Sequence, residues 1–234
     1  MKQVLHIFKK EFYAYFLSPI AYIVISIFLV VTGWFFFSTF FIYNLAGMRN
    51  FFSMMPIIFS FVVPAVTMRL FSEEFNVGSY ELLLTMPVTI RQVVLGKFLA
   101  GTFFMAMMLL PTLSYPLTIS LLGELDWGPV VGGYIGAFLL AGSYCAVGLF
   151  ASSLTRNQII AFIIGLAICF GLTMLNKMLF FMPETLLGFF SYLGADTHFA
   201  NISKGIIDTR DLLYFVSVIF VGLYATHLAV EERC

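Results

Sequence analysis

Apolar residues gather along this chain in six long runs, residues 20–43, 52–71, 98–122, 129–154, 159–175 and 212–230. Runs of about 20 residues are what a helix needs to cross a hydrocarbon core. Polar residues collect between these runs rather than within them. The pattern therefore predicts an all-α polytopic membrane protein with six transmembrane helices, in a single domain over 1–234. Ahead of the first run, Leu5, Phe8, Phe12 and Phe16 recur at helical spacing while Lys2, Lys9 and Lys10 fall mostly elsewhere. That spacing predicts an amphipathic helix over 1–18 lying on the membrane surface, with Ser18 and Pro19 turning the chain into the first span. It does not read as a cleaved leader, because the apolar run is too long and no small-x-small site follows it.

The gap between the second and third runs holds unusually dense turn chemistry, NVGSYELLLTMPVTIRQVVLGK over 76–97. Ser79 is placed to cap a short helix over 80–85, which must end before Pro87 because the residue ahead of a proline is pushed out of the helical region. Thr89 and Gln92 then match a capping box, and Val88 and Val93 stand at the two positions of a hydrophobic staple. The third helix is thus expected to begin several residues before it enters lipid. A two-turn helix bearing Leu82, Leu83 and Leu84 beside Glu81 is not stable alone in water. Its apolar side needs the membrane surface, another part of the chain or a second protein.

Composition confirms the class and excludes others. The chain is 61% hydrophobic and 10% charged, with a mean hydropathy of +1.01 and zero formal net charge, which leaves no soluble domain and no basic surface for nucleic acid. Eight basic residues, Lys2, Lys9, Lys10, Arg69, Arg91, Lys97, Arg156 and Arg233, fall on the side of the termini, against Arg49, Lys177, Lys204 and Arg210 on the other. The positive-inside rule therefore puts both termini in the cytoplasm. The loop over 72–97 is then cytoplasmic and that over 183–211 extracytoplasmic.

Chemistry of its own is hard to find in this chain. The runs hold almost no charge; Arg69, Lys97 and His227 at span ends, with Glu124 and Asp126 in a short loop, read as interfacial residues rather than a proton relay. Gly96 and Lys97 form a Gly-Lys pair, but Arg91 and Phe98 occupy positions where a phosphate-binding loop needs Gly and Ser or Thr. No cofactor is expected. Cys145, Cys169 and Cys234 lack the spacing of a disulfide framework or zinc site and read as small apolar side chains. Met174, Met178 and Met182 make a stripe that could suit Cu(I) or simply fill gaps in a bundle. Asp196 and His198 could touch a divalent metal, though solvated loop residues are the plainer reading.

Small residues recur every four positions in the fourth span, Gly133, Ala137, Ala141 and Cys145, and in the fifth, Ala161, Gly165 and Cys169. Such faces let helices approach closely, within one subunit or between two, or against a substrate.

The run EEFNVGSYELLLTMPVTIRQVVLGKFLAG over 73–101 resembles type-2 ABC exporter permeases, which carry an acidic residue, Gly then Ser or Thr, Glu-x-Leu-Leu, Pro and Gly-Lys in this order between the second and third spans. ASSLTRNQIIAF over 151–162 and SKGIIDTRDLLYF over 203–215 extend the likeness, which is closest to the gliding-motility-type branch. The resemblance implies a non-catalytic transmembrane subunit in a bacterial inner membrane. It would pair with a second copy or a homologue and with ATP-binding subunits that hold the ATP and Mg, and could meet an extracytoplasmic auxiliary subunit. It also implies that Glu74, Gly78, Glu81, Leu82 and Pro87 belong to the main contact with the ATPase, and Thr155, Arg156 and Asn157 to a smaller one. Cargo would be a lipid, glycan or other amphipathic molecule. A role in copper-enzyme maturation, or in a motility-associated complex without net transport, are the alternatives.

Overall fold

The computed structural model describes residues 2–43, 47–78, 88–178, 192–206 and 208–233. Among them the chain is helical, with no strand. Helix α1 is Lys2–Leu17, α2 Pro19–Tyr43, α3 Arg49–Thr67 and α4 Arg69–Val77. After the second loop come α5, Ile90–Leu109, a 3-10 turn, Leu110–Leu113, and α6, Ser114–Leu122. The remainder is α7, Trp127–Leu154, α8, Gln158–Met178, α9, Ala195–Ser203, and α10, Thr209–Glu231. Among the described residues, six helical segments are long and apolar enough to cross a membrane: α2, α3 with α4, α5 through α6, α7, α8 and α10.

Helix α7 is the axis of the bundle. Of its most apolar stretch 78% is buried, against 28% for α2 and 22% for α8 and for α10, so the latter three form the rim and present side chains outward. The cause lies in composition. Small residues such as Gly133, Ala137, Ala141 and Gly148 leave α7 thin, and α3, α5, α8, α9 and α10 all pack on it. A Cβ on Gly133 would sit 2.3 Å from the Phe52 ring, and one on Gly165 would stand 3.3 Å from Pro64 of α3. Ala137, Ala141, Cys145, Ala161 and Cys169 are likewise buried. Both small-residue faces are filled by the chain's own side chains. Gly133→Ala is accordingly expected to destabilise the fold by about 1–3 kcal/mol by overpacking. A thermal melt of the purified chain in detergent checks this; an unchanged midpoint would mean that Phe52 relaxes freely.

Two spans depart from uniform helices. The second is interrupted at Met68 and continues as α4 to Val77, beyond the expected limit at residue 71. The third is interrupted by the turn carrying Pro111, whose ring cannot supply an amide to the ladder. The third helix also starts where the capping signal puts it: Thr89 has extended backbone (φ −87°, ψ 150°), and its amide donates to Gln92 Oε1 at 3.1 Å. Val93 is buried and Val88 packs against the core.

Helix α1 forms as expected, but its apolar stripe rests on the protein and omits Leu5. Leu5 is exposed, whereas Ile7, Phe8, Phe12, Tyr15 and Phe16 face the protein. The reason is α5. Gly96 lacks a side chain where α1 crosses, and a Cβ there would fall 2.7 Å from Ile7 Cγ2. The helix is therefore packed on α5 rather than held by an apolar membrane face alone.

Candidate functional site

Helix α4 ends at Gly78, which takes the left-handed conformation (φ 75°, ψ 7°). Only glycine adopts this without strain, and it is the usual way to stop a helix and redirect the chain. Beyond it lie residues 79–87, so the expected short helix and the contact residues Glu81, Leu82 and Pro87 fall outside the described residues. What the structure does show is how α4, the element leading into that segment, is fixed.

Three other elements grip it. Lys97 of α5 is fully buried, and its Nζ lies 2.8 Å from Glu74 Oε1 of α4 and 3.4 Å from Glu11 Oε1 of α1. The same ammonium donates to the Leu70 carbonyl at 2.6 Å and stands 5.1 Å from the Phe71 ring centroid. Lys97 is thus no snorkelling interfacial residue. Gly96 lets α1 come close enough to bring Glu11 within reach, so the Gly-Lys pair joins three helices. Glu74, for its part, is turned inward.

Ser152 of α7 supplies a second tie. Its hydroxyl accepts from the amides of Phe71 (2.9 Å) and Ser72 (3.1 Å) and donates to the Met68 carbonyl (2.8 Å). In an unbroken helix those two amides would bond the carbonyls of Thr67 and Met68. A side chain from a neighbouring helix inserted into the ladder is a recognised cause of a helix break, and here it keeps the break's polar groups satisfied inside the protein.

The third grip is the end of α10. Arg233 donates to the Leu154 carbonyl and places its guanidinium 4.9 Å from the Phe75 ring centroid. It thereby links α4 to the turn after α7. In that turn Thr155 Oγ1 accepts from the Asn157 amide at 3.1 Å, and Asn157 Oδ1 accepts from the Ile159 amide at 2.9 Å, capping α8. Thr155 and Asn157 therefore shape the turn, while Arg156 between them is exposed.

Helix α1 braces the same region. Tyr15 donates to the Val66 carbonyl at 3.1 Å, and Arg69 lies 4.7 Å above its ring. Burial pushes the Tyr15 hydroxyl well above its ordinary value, against the weaker pull of the Arg69 cation. It stays a neutral donor at any physiological pH.

At the opposite end, His198 of α9 is buried rather than solvated. Its Nδ1 lies 2.6 Å from Asp211 Oδ1, its Nε2 3.1 Å from the Tyr192 carbonyl, and its ring stacks on Tyr214. Asp196 instead meets Asn176 at 3.4 Å. The pairing pins α9 to the start of the last span. No group of three or more His, Cys, Asp or Glu side chains able to hold a metal occurs among the described residues. Of the methionine stripe, Met178 is exposed and Met174 half-buried, while Met182 lies outside the described residues.

The fold and these ties define a six-span helical membrane subunit whose second span extends into a clamped helix ending at Gly78. The family model described as ABC-2 family transporter protein matches residues 36–206, most of the chain. The chain belongs to that family: it is a transmembrane permease subunit of an ABC transporter, a multi-pass protein of the lipid bilayer whose family implies an ATP-binding partner chain. No curated protein matches it.

Sequence reasoning missed Glu11, Ser152 and Arg233. Glu11 is the one acidic residue in the first helix, a signal that could have been read. Ser152 and Arg233 carry none, since a serine near a helix end and an arginine near a terminus are ordinary residues.

Proposed function

We propose that this chain is the permease of an ATP-driven exporter, nearest the gliding-motility-type branch, working as a dimer with a second copy or a homologue. In this reading it sits in a bacterial inner membrane with both termini in the cytoplasm. The excess of basic residues on that side supports the orientation. Two ATP-binding subunits hold the ATP and Mg, this chain contributes no cofactor site, and the α9 region is available to an extracytoplasmic auxiliary subunit.

The observation that carries the reading is the clamping of α4. A helix held to α5 by Lys97–Glu74, to α7 by Ser152 and to α10 by Arg233 cannot shift alone. Movement delivered to residues 79–87 or to the Thr155–Asn157 turn passes to the spans as a rigid-body displacement, the kind of motion that switches a transporter between inward- and outward-facing states. Gly78 directs the chain into the docking segment, and Glu81, Leu82 and Pro87, with Arg156, meet the ATPase. The apolar and aromatic character of the spans, in a chain that is 61% hydrophobic and 18% aromatic, favours a lipid, glycan or other amphipathic cargo.

Glu81→Arg and Leu82→Asp are each expected to reduce co-purification of the ATP-binding subunit at least about tenfold while membrane insertion is kept, because a reversed or buried charge at a docking helix costs over 1.4 kcal/mol. Undiminished co-purification would sink the docking assignment. Nucleotide-dependent movement of a labelled lipid or glycan in vesicles containing the complex tests export; hydrolysis without such movement would favour the structural, motility-associated alternative.

A further inference from the structure

Between α1, the start of α2 and α4 lies an open cleft of about 570 Å³. Its charged wall carries Lys10, Arg69 and Lys97 against Glu11, Glu73 and Glu74, equal numbers of each sign. Most of these charges already answer one another. Lys97 is taken up by Glu74 and Glu11, and Glu11 also lies 3.7 Å from Lys10. Two remain. Arg69 has no carboxylate within 4.0 Å and Glu73 no cation within 4.0 Å among the described residues. They stand one turn apart on α4, near enough to pair with each other, but the Arg69 guanidinium is drawn over the Tyr15 ring instead.

The cleft thus offers a cation without a carboxylate partner and an anion without a cationic one, carried by residues whose backbones stand about 6 Å apart along the α4 axis. A phosphoethanolamine group, with its phosphate and ammonium joined by a two-carbon bridge, has the matching charges at a comparable spacing. The rim is apolar. Ile20 lines the cleft and is exposed, and so are Leu17 and Ile159, the chain neighbours of the lining residues Ser18 and Gln158. Charged floor and aliphatic rim at the base of the first span match the boundary between headgroups and acyl chains. The balanced charge gives no advantage to an anionic lipid, which a basic site would attract.

We propose that this cleft binds a zwitterionic phospholipid of the ethanolamine type, with its phosphate on Arg69, its ammonium on Glu73 and its acyl chains leaving past Ile20. Held there, the lipid braces α1 against α4. The assignment is independent of the transport reading, since it concerns a ligand of this chain whether or not the complex moves cargo.

Native mass spectrometry of the purified complex, titrated with phosphatidylethanolamine, phosphatidylcholine and phosphatidylglycerol of the same acyl chains, tests it. Phosphatidylethanolamine is expected to bind about tenfold more tightly than phosphatidylglycerol, the scale of one charge-assisted hydrogen bond. Arg69→Gln is expected to weaken all three about tenfold. Glu73→Gln, at an exposed position where glutamine leaves the fold intact, is expected to erase the preference for ethanolamine without weakening phosphatidylglycerol. Arg210→Gln, at the far end of the bundle, serves as the unchanged control. Equal or tighter binding of phosphatidylglycerol to the unaltered chain overturns the proposal, as does a preference that survives Glu73→Gln. Soluble phosphoethanolamine binding as tightly as the lipid would assign the cleft to a small metabolite instead. A photoreactive side chain at Lys10 that captures the ATP-binding subunit and displaces lipid would make it a protein-docking surface, and would overturn the lipid assignment equally.

Discussion

Lys97→Met is expected to destabilise the fold by about 3–5 kcal/mol, the usual cost of removing one partner from a buried ion pair. The lysine's side chain is 1% exposed and that of Glu74 14%. Glu74 Oε2 has no hydrogen-bond partner among the described residues, so loss of the ammonium leaves that carboxylate almost uncompensated. The Leu70 carbonyl and Glu11 lose a donor at the same time. The companion variant Lys97→Met with Glu74→Gln is expected to recover most of the loss, because the cost lies in the orphaned charge more than in the attraction it replaced. Lys97→Arg should recover little, since a planar guanidinium does not fit a site built around a point charge with donors in several directions. Thermal unfolding in detergent of the parent, Lys97→Met, Glu74→Gln and the double variant, read as a double-mutant cycle with Lys97→Arg measured alongside, checks this. A single variant within about 0.5 kcal/mol of the parent would show that the network contributes nothing.

Ser152→Ala should cost about 2–4 kcal/mol, because the amides of the buried residues Phe71 and Ser72 are then left without a partner at the helix break. Ser153 provides the comparison. It is equally buried, but its hydroxyl bonds only the Phe150 carbonyl one turn back on its own helix, so Ser153→Ala is expected to stay below about 1 kcal/mol. Hydrogen exchange separates a local from a general effect. In Ser152→Ala the amides of Phe71 and Ser72 should exchange faster than in the parent, and in Ser153→Ala they should not. Equal exchange in both variants would mean that α4 satisfies its own first turn. If α4 transmits movement from the ATPase, the same substitution should also loosen the link between nucleotide hydrolysis and transport while leaving the ATP-binding partner attached.

The two predictions mark the division between what could be read along the chain and what could not. Spans were legible because burial in lipid imposes a length of apolar sequence that is purely local. The start of the third helix was legible for a similar reason: Thr89 and Gln92 satisfy each other across three residues. The small-residue faces of α7 and α8 were legible as close-packing surfaces, though not as to which helix fills them; α3 supplies Phe52 against Gly133 and Pro64 against Gly165.

Charge placement was the weakest inference. Lys97 sits at a span end, where snorkelling is the ordinary fate of a lysine, and His198 sits in a loop, where solvation is. Each is buried because a carboxylate from another helix, Glu74 or Asp211, approaches it. Leu5 failed in the same way: it has the periodicity of the inward stripe, but the glycine at 96 sets how α1 rests on α5 and rotates that residue outward.

By itself, then, the sequence determined the class, the six spans, the helix before the first of them and the capping box that begins the third, because all of these follow from hydropathy and from contacts a few residues apart. Only the tertiary structure decided that α4 is a separate helix, that Lys97 rather than a surface charge holds it, and that Ser152 and Arg233 tie it to the rest of the bundle. Such pairings depend on which backbones come within a few ångströms of each other after the helices pack. That distance is set by the glycines and alanines of the whole bundle at once, and no short stretch of residues encodes it.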